Sequence, residues 1–504
     1  MNDNLRPVLV VLLACFTVLF LQLNRVQVLE RTSLRENPSN TRGLVQDFDR
    51  ARADIATSDG VVVATSEPAT SGQFDLQRVY PEGDLYAHSV GYVAFNRESQ
   101  GAEQSLSEEI TGQTAAQELS DLIDLLDPNP DIGTVVLTLD HGLQTVAKGA
   151  LGERVGSVVA LDPHDGRVLA LWSFPSFDPN RLADNSTTAS SEAFVELEEA
   201  DNNPLRASAY REVRFPGSTF KVITAAAGLD SGTVTLTDPV YPAVAEYVPD
   251  LTDRGLRNFG GRNCGGDLVD ILVLSCNTSF AEMAAEQLGP EVMINQAEAA
   301  GFNQVIPFDL PGGVASVFPT DYGAQIQAPT PERPAGLYEN TPILAQTAIG
   351  QNDVSATPLQ MALVISAVAN DGIVPTPHVL AEVQDPDGRT LSTNEPGPWR
   401  EAMREQTARD LQTALVEAVE SGSGSPAAVD GLVVGAKTGT AQIGSDPPRS
   451  HAWIVAFAGR PDSEPELAVA VLVESQEGDD QTGGRVAGPI AAQLFQQWFS
   501  QSDG

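Results

Sequence analysis

The chain has 504 residues with 42% hydrophobic content, and its 68 acidic residues outnumber 29 basic ones, giving a formal net charge of −39 at pH 7. This hydrophobic content supports buried cores and excludes a mainly disordered chain, while the charge argues against nucleic acid or an anionic membrane surface as a partner. High external salt is one hypothesis for the acidity, because screening relaxes like-charge repulsion; a melting temperature indifferent to NaCl would contradict it.

The N-terminal region contains an uncharged apolar run from Pro7 to Leu23, which lies between two arginines. Its length is near the lower limit for a membrane-spanning helix. A signal peptide is the competing interpretation, but no small-residue cleavage site follows, and the run continues past the lipoprotein-like sequence that ends at Cys15. We therefore expect a cytoplasmic stub and an uncleaved transmembrane anchor over residues 1–24. Arginines on both sides leave its orientation undecided.

Residues 25–132 predict a polar juxtamembrane stalk followed by a small, non-catalytic α+β domain. Acidic and apolar residues alternate at helical spacing over 101–126, and Asp127–Pro130 then interrupts the pattern. Short strand-like runs separated by turn residues precede this helix, at Gly60–Ala64, Leu76–Tyr80 and Val90–Phe95.

Residues 133–504 predict a larger domain of mixed α/β type. The segment Ala183–Asn203 has no clear periodicity and is expected to be a surface excursion, and Pro- and Gly-rich connections fill 303–345. The order of elements favours an antiparallel sheet with a helical subdomain over a doubly wound parallel sheet. The predicted strands are Thr134–Leu139, Ser157–Leu161, Arg167–Trp172, Trp453–Ala458 and Leu467–Val473; the predicted helical regions are His141–Leu151, Lys221 to about Ala300, Thr357–Asn370 and Pro489–Phe499.

Two cysteines outside the anchor, Cys264 and Cys276, lie twelve residues apart. In an exported domain such a pair favours one disulfide, although two buried free thiols are the alternative. No Cys/His cluster has the spacing of a metal site, so we expect neither metal nor cofactor.

The stretch Phe215–Lys221 carries a Ser-x-x-Lys motif in Ser218 and Lys221, ahead of a small, apolar run. Three residues apart on a helix, the two side chains share one face, so an amine lies close enough to take the proton of a hydroxyl. An N-cap serine and a surface lysine are the ordinary explanation. Only three of the 29 basic residues are lysines, however, and a buried lysine can lose its proton where an arginine cannot.

Two later motifs complete a set. Ser275-Cys276-Asn277 lies between two helical runs, and Lys437-Thr438-Gly439-Thr440 follows a strand-like segment. Each motif alone is weak, but Ser-x-x-Lys, Ser-x-Asn and Lys-Thr-Gly in this order mark penicillin-binding proteins and serine β-lactamases. Their occurrence in order by accident is improbable.

On these motifs the chain resembles the class B penicillin-binding proteins, and among them the penicillin-binding protein A group of actinobacteria. The resemblance covers nearly the whole chain and includes Gly156–Pro163, Ser173–Asn180, Ile349–Gln351 and His451–Trp453. It implies a membrane-anchored, extracytoplasmic D,D-transpeptidase that cross-links peptidoglycan and is acylated by β-lactams. It also implies a partner glycosyltransferase of the SEDS family and divisome proteins as further partners. The resemblance favours a role in division, although the sequence does not distinguish septal from lateral wall growth. The N-terminal domain is expected to mediate either self-association, as a homodimer, or contact with a partner.

For such an enzyme the residues predict a two-step acyl transfer. Ser218 attacks the carbonyl of a D-Ala-D-Ala peptide, and Lys221, kept neutral by burial and by the cation Lys437, is the base. Ser275 relays a proton to the leaving amine, and Asn277 holds the donor peptide's amide. Lys437, Thr438 and Thr440 are expected to bind the terminal carboxylate of the donor. The backbone N–H groups of Ser218 and Thr440 are expected to form the oxyanion hole. Gly439 is expected to allow close approach of the substrate to the strand.

Three alternatives stay open at this point. A serine β-lactamase needs a carboxylate that activates water, and Glu291, the first residue of a Glu-x-x-x-Asn pattern, is the one candidate, although an acidic residue in a first helical turn is ordinary. A D,D-carboxypeptidase shares every predicted residue and differs only in its acceptor. A non-enzymatic divisome scaffold is disfavoured by the complete motifs, and a β-lactam receptor would need a signalling segment that we do not find.

Overall fold

The computed structural model of the protein describes residues 5–24, 51–72, 74–95, 97–112, 114, 133–443, 449–477 and 481–501. The helices are α1 (Leu5–Asn24), α2 (Ala102–Ser105), α3 (Ser107–Ile110), α4 (His141–Leu151), α5 (Thr187–Glu199), α6 (Ser208–Arg211), α7 (Lys221–Ser231), α8 (Leu268–Val273), α9 (Asn277–Glu282), α10 (Gly289–Ala299), α11 (Thr341–Thr347), α12 (Pro358–Ala369), α13 (Glu405–Glu420), α14 (Gly483–Val486) and α15 (Gly488–Gln501). The strands are β1 (Asp54–Ala56), β2 (Val62–Pro68), β3 (Leu76–Val79), β4 (Thr134–Leu137), β5 (Gly156–Leu161), β6 (Val168–Phe174), β7 (Tyr241–Val244), β8 (Glu246–Tyr247), β9 (Leu256–Arg257), β10 (Cys264–Gly266), β11 (Gln325–Gln327), β12 (Leu337–Tyr338), β13 (Ile373–Pro375), β14 (Leu380–Gln384), β15 (Thr390–Thr393), β16 (Pro398–Glu401), β17 (Val433–Gln442), β18 (Arg449–Gly459) and β19 (Leu467–Glu477).

Long runs of Val, Ala, Ile and Leu form a five-stranded sheet in the order β17-β18-β19-β5-β6. Every neighbouring pair in this sheet is antiparallel, as the sequence predicts. Because helices cover its strands, the sheet is buried on both faces and its sequences are apolar without alternation. The strand of this sheet that comes first in the chain, β5, pairs with the one that comes last, β19, near the centre of the sheet. The strand β17 lies at one edge.

Helices contact this sheet along its length. The helix α12 lies against β5, β18 and β19, and each of its residues is buried. Its start at Pro358 follows from Thr357, whose hydroxyl accepts a hydrogen bond from the backbone N–H of Gln360 at 3.0 Å. The helices α4 and α15 contact each other, with α4 against β6 and α15 against β19.

Two secondary-structure predictions are wrong in part. The segment expected to be an irregular excursion contains α5, which Ser186 caps and whose buried residues Ser190, Ala193 and Leu197 are spaced as one helical face; its many acidic and hydroxyl side chains obscure that short apolar pattern. The helical region predicted from Lys221 to Ala300 is interrupted by the short strands β7 to β10, because prolines and glycines in 242–266 disfavour a helix there.

The N-terminal strands join a second sheet, in the order β15-β14-β4-β1-β2-β3. In this sheet β1 pairs in parallel with β4, and β4 pairs antiparallel with β14. The sheet therefore crosses the domain boundary predicted at residues 132 and 133. The predicted strand Val90–Phe95 is instead a buried, irregular segment with one isolated bridge, between Tyr92 and Gln100.

A buried ion triad holds the N-terminal helices to this sheet. The carboxylate of Glu103, on α2, is fully buried and lies 2.6 Å from Arg78 and 2.9 Å from Arg52. The two arginines lower the pKa of Glu103 against the opposing effect of burial, so the carboxylate stays ionised.

The predicted anchor, Pro7–Leu23, falls within α1. Over the residues that the structure describes, none of the helices is both long enough and apolar enough to cross a bilayer. The transmembrane anchor therefore stays a prediction. The predicted stalk, half of the helix expected over 101–126 and the interruption at Asp127–Pro130 lie outside the described residues.

Candidate active site

The predicted nucleophile lies on a tight 3₁₀ turn, Gly217–Phe220, that runs directly into α7. The ring of Phe220 is fully buried and stacks on Phe318 with ring centres 5.3 Å apart, which anchors the turn in the core. Ser218 itself is half-buried, on the turn that precedes the helix.

A second chain segment explains the Ile349–Gln351 motif. The N–H of Gly217 donates to the carbonyl of Gly350 at 3.0 Å. Gly350 has φ +68°, and a Cβ there would collide with the carbonyl oxygen of Gly217. Only glycine allows this approach, so Gly350 fixes the turn that presents Ser218.

Lys221 is the first residue of α7 and is fully buried. Its Nζ donates to the side-chain oxygen of Asn277 at 2.7 Å and to the carbonyl of Ser275 at 2.9 Å, and it lies 3.4 Å from the Ser275 hydroxyl. Residues more than 50 positions apart therefore converge on one amine, as the three motifs predict.

Lys437 reaches the same hydroxyl from β17. Its Nζ donates to the Ser275 Oγ at 2.8 Å, so this hydroxyl lies between two lysine side chains. Burial lowers the pKa of Lys437 to about 7, with a further contribution from the Arg262 guanidinium. Burial, together with the cations Lys437 and Arg262, lowers the pKa of Lys221 well below its usual range.

The segment that carries Ser275 and Asn277 is a strained connection between two short helices. Ser275 has φ +58°, a left-handed conformation that costs a serine roughly 1 kcal/mol or more and persists only where neighbouring contacts impose it. One such contact is the disulfide that joins Cys264 to Cys276 in the structure, with Cα atoms 5.4 Å apart.

Asn258 is a second contact, which our sequence analysis missed. Its side-chain oxygen accepts from the backbone N–H groups of Asn277 at 2.8 Å and Thr278 at 3.1 Å, which satisfies the first turn of α9. Its amide nitrogen donates to the carbonyl of Val244 at 2.8 Å. Nothing in the sequence marks Asn258, because its partner Asn277 lies 19 residues away, beyond β10 and α8.

Asn277 has both ends of its amide engaged. Its oxygen accepts from Lys221, and its nitrogen donates to the carbonyl of Arg257 at 2.9 Å. To hold the amide of a donor peptide, as predicted, Asn277 must therefore exchange one of these two contacts for the peptide or share it with the peptide.

The Lys-Thr-Gly segment lies on β17, at the sheet edge. A Cβ on Gly439 would lie 2.8 Å from the Pro216 carbonyl oxygen and 3.0 Å from the Thr219 methyl group. The turn that carries Ser218 therefore already requires a glycine at position 439. Our prediction gave a different reason, the close approach of the substrate. An edge strand also offers unpaired backbone groups to an extended peptide.

The two threonines of this segment have different surroundings. Thr438 is largely buried, and its hydroxyl exchanges a hydrogen bond of 2.7 Å with Ser423. Thr440 is half-buried, and its hydroxyl accepts from the N–H of Gly483 at 3.4 Å. Of the two, Thr440 is therefore the more available to a ligand.

No carboxylate among the described residues contributes to the pKa shifts of the two lysines. Glu291, the one carboxylate considered as a water-activating group, is exposed on the first turn of α10. The described residues therefore offer Lys221, with its lowered pKa, as a base for acylation, but no carboxylate among them is placed to activate water against an acyl-enzyme.

Comparison with known proteins agrees with this geometry. Residues 156–496 match the family model described as penicillin binding protein transpeptidase domain, and residues 52–136 match the penicillin binding protein A dimerisation domain. The chain is 36% identical to peptidoglycan D,D-transpeptidase PbpA of Mycolicibacterium smegmatis over 97% of each protein. It is 34% identical to PbpA of Mycobacterium tuberculosis over 98% of this chain and 99% of that protein.

Solved structures give the same result. Penicillin-binding protein A of M. tuberculosis as its ceftriaxone acyl-enzyme superimposes with a TM-score of 0.79 at 31% identity, over 90% of this chain and 99% of that one. Its penicillin G acyl-enzyme gives a TM-score of 0.77 at 30% identity, over 89% of this chain and 100% of that one.

Proposed function

The chain belongs to the penicillin-binding protein family, and from this membership we propose that it is a serine D,D-transpeptidase that cross-links peptidoglycan stem peptides and is acylated by β-lactams. The observation that carries the proposal is the buried amine of Lys221, held by Ser275 and Asn277 one turn after Ser218. A buried lysine whose pKa is lowered well below its usual range is the kind of base that a serine hydroxyl needs.

In the proposed first step, Ser218 Oγ bonds to the carbonyl carbon of the penultimate D-Ala while its proton passes to Lys221 Nζ. The backbone N–H groups of Ser218 and Thr440 stabilise the oxyanion, each contributing about 3–4 kcal/mol in comparable sites. The C–N bond then breaks, and the leaving D-Ala takes its proton through the Ser275 hydroxyl, which contacts both lysines.

In the second step, an amine of a neighbouring stem peptide attacks the acyl carbon. Its proton returns through the same groups to Ser218 Oγ, and the C–O bond to the serine breaks. Lys437, whose amine also donates to the backbone carbonyl of Thr438 at 3.2 Å, is the proposed cation for the terminal carboxylate of the donor. Each protonation change is internal to the site, so no cofactor is required.

The same geometry distinguishes this function from a β-lactamase. Because no described carboxylate acts on the lysines, water at the acyl-enzyme lacks a base of the kind that class A β-lactamases use. We expect the penicilloyl adduct to persist far longer than the time needed for complete acylation, as followed by intact-protein mass spectrometry after excess penicillin is removed. Rapid return of the unmodified mass, with turnover of the drug, would identify a β-lactamase instead.

We also propose that the run Pro7–Leu23 anchors the chain in the membrane, with the catalytic domain outside and the N-terminus inside. The uncharged sequence of the run and the extracytoplasmic location of peptidoglycan support this topology. Release from the membrane fraction when residues 1–24 are deleted would test it; a full-length chain that is not membrane-bound would contradict it.

The partners follow from the same family membership. We propose a SEDS-family glycosyltransferase and divisome proteins as partners, and self-association through residues 52–136, the region matched by the dimerisation domain. Cross-linking of the full chain in membranes would detect these contacts, and recovery of the monomer alone would contradict them.

A further inference from the structure

Arg262 is a third cation near the two lysines, and none of the sequence motifs includes it. Its guanidinium donates to the carbonyl of Leu274, the residue immediately before Ser275. The residue as a whole is exposed, so the remaining donors of its guanidinium face solvent beside the Ser-x-Asn segment.

The backbone of Arg262 is held in place from both sides. Asn258 donates from its amide to the carbonyl of Arg262 at 3.2 Å, while its oxygen binds the N–H of Asn277 at 2.8 Å. Two residues further along, Cys264 is joined to Cys276. Arg262 therefore has a defined position relative to Asn277, which is the residue proposed to hold the donor peptide.

Within the part of the chain that the structure describes, no acidic side chain pairs with Arg262. Two other arginines of this region have acidic partners: Arg257 lies 3.1 Å from Glu246, and Arg333 contacts Asp250. Among the described residues Arg262 has no such ion pair, although the chain has 68 acidic side chains. Its positive charge also opposes protonation of both lysines, an arrangement that a bound anion would stabilise.

One anion of the substrate is already assigned. The terminal carboxylate of the donor is proposed to bind Lys437, which contacts the Ser275 hydroxyl from β17, whereas Arg262 contacts the carbonyl of the preceding residue, Leu274, from the segment between β9 and β10. Arg262 is left with the part of the donor that precedes its D-Ala-D-Ala end, and the planar fork of a guanidinium suits a carboxylate.

We propose that Arg262 is a specificity-determining residue that binds a carboxylate on the residues preceding D-Ala-D-Ala in the donor stem peptide. The proposal rests on the proposed transpeptidase function and identifies a feature of its donor substrate. An enzyme with this contact prefers a donor with a free side-chain carboxylate over the same peptide with a carboxamide.

The test compares two synthetic donor peptides that differ only in this group, free acid or carboxamide, with one amine acceptor. Wild type, Arg262→Gln and Arg254→Gln are assayed for kcat/KM on both. Arg254 is an exposed arginine just before β9, whereas Arg262 follows that strand, and it provides the matched control for loss of one positive charge. The readout is the ratio of kcat/KM for the free acid to kcat/KM for the carboxamide. An effect of Arg262 on the lysines changes both values equally and therefore cancels in this ratio.

We expect wild type and Arg254→Gln to favour the free acid by about 10- to 100-fold, the range for a hydrogen bond between charged groups. In Arg262→Gln the ratio should fall close to one. An unchanged ratio in Arg262→Gln, or no preference in wild type, would overturn the proposal. Failure of penicillin to acylate the wild type would instead contradict the proposed function, since penicillin carries only the counterpart of the terminal carboxylate.

Discussion

Substitution of Ser218 by alanine is expected to abolish acylation by penicillin and by a D-Ala-D-Ala donor. Ser218 stands on the turn that precedes α7, one turn before Lys221, whereas the nearby Ser275 hydroxyl is already held by two lysines. Loss of a nucleophile costs about 10⁶-fold in comparable serine enzymes. Intact-protein mass spectrometry should therefore show the unmodified mass alone.

Ser231→Ala is the matched control for this experiment. Ser231 is an exposed serine at the other end of the same helix, so the variant makes the same chemical change without touching the site. It should acylate at the wild-type rate. A penicilloyl adduct on Ser218→Ala, mapped by peptide digestion to another residue, would show that Ser218 is not the nucleophile.

Substitution of Lys221 by arginine is expected to slow acylation by about 10²–10⁴-fold, although the positive charge is kept. The guanidinium cannot give up its proton and so cannot accept the proton of Ser218. Lys148→Arg is the matched control, since Lys148 is the remaining lysine of the chain and pairs with Asp84 away from the site. Acylation rates from stopped mixing with a chromogenic β-lactam would measure both variants.

The pH dependence of the wild type follows from the same two lysines. Burial, Lys437 and Arg262 lower the pKa of Lys221, so the neutral base is lost only as pH falls through that lowered value, and the rate falls with it. On the alkaline side, Lys437 loses its charge above its pKa of about 7, which weakens binding of the terminal carboxylate. The profile of the acylation rate constant should be bell-shaped. If Lys221→Arg acylates at a measurable rate and that rate falls with decreasing pH as it does in the wild type, Lys221 is not the base.

The convergence of the motif residues at one site could be predicted from sequence, because each motif is short and local. Ser218 and Lys221 are three residues apart, and the strand that presents Lys437 has a clear apolar pattern. The antiparallel sheet could be predicted for the same reason, since its strands are long and buried. In these cases local sequence and tertiary structure favour the same conformation.

What sequence could not predict depends on contacts between distant segments. Asn258 and Arg262 reach the Ser-x-Asn segment only because short strands fold back on it, and neither has a local signal. Gly439 was predicted as glycine for the substrate, whereas Pro216, more than 200 residues earlier, already fills that space. The sheet that joins β1 to β4 and β14 likewise depends on strand pairing across the predicted boundary.

The claim that the acyl group passes from Ser218 to an amine is tested most directly by product analysis. Wild-type protein is incubated with a D-Ala-D-Ala stem-peptide donor and a stem-peptide amine acceptor, and the products are separated by mass. The proposed function predicts release of D-Ala together with a cross-linked dimer that requires the acceptor amine and is absent with Ser218→Ala. Release of D-Ala with only the shortened, hydrolysed donor would show a carboxypeptidase and contradict the account.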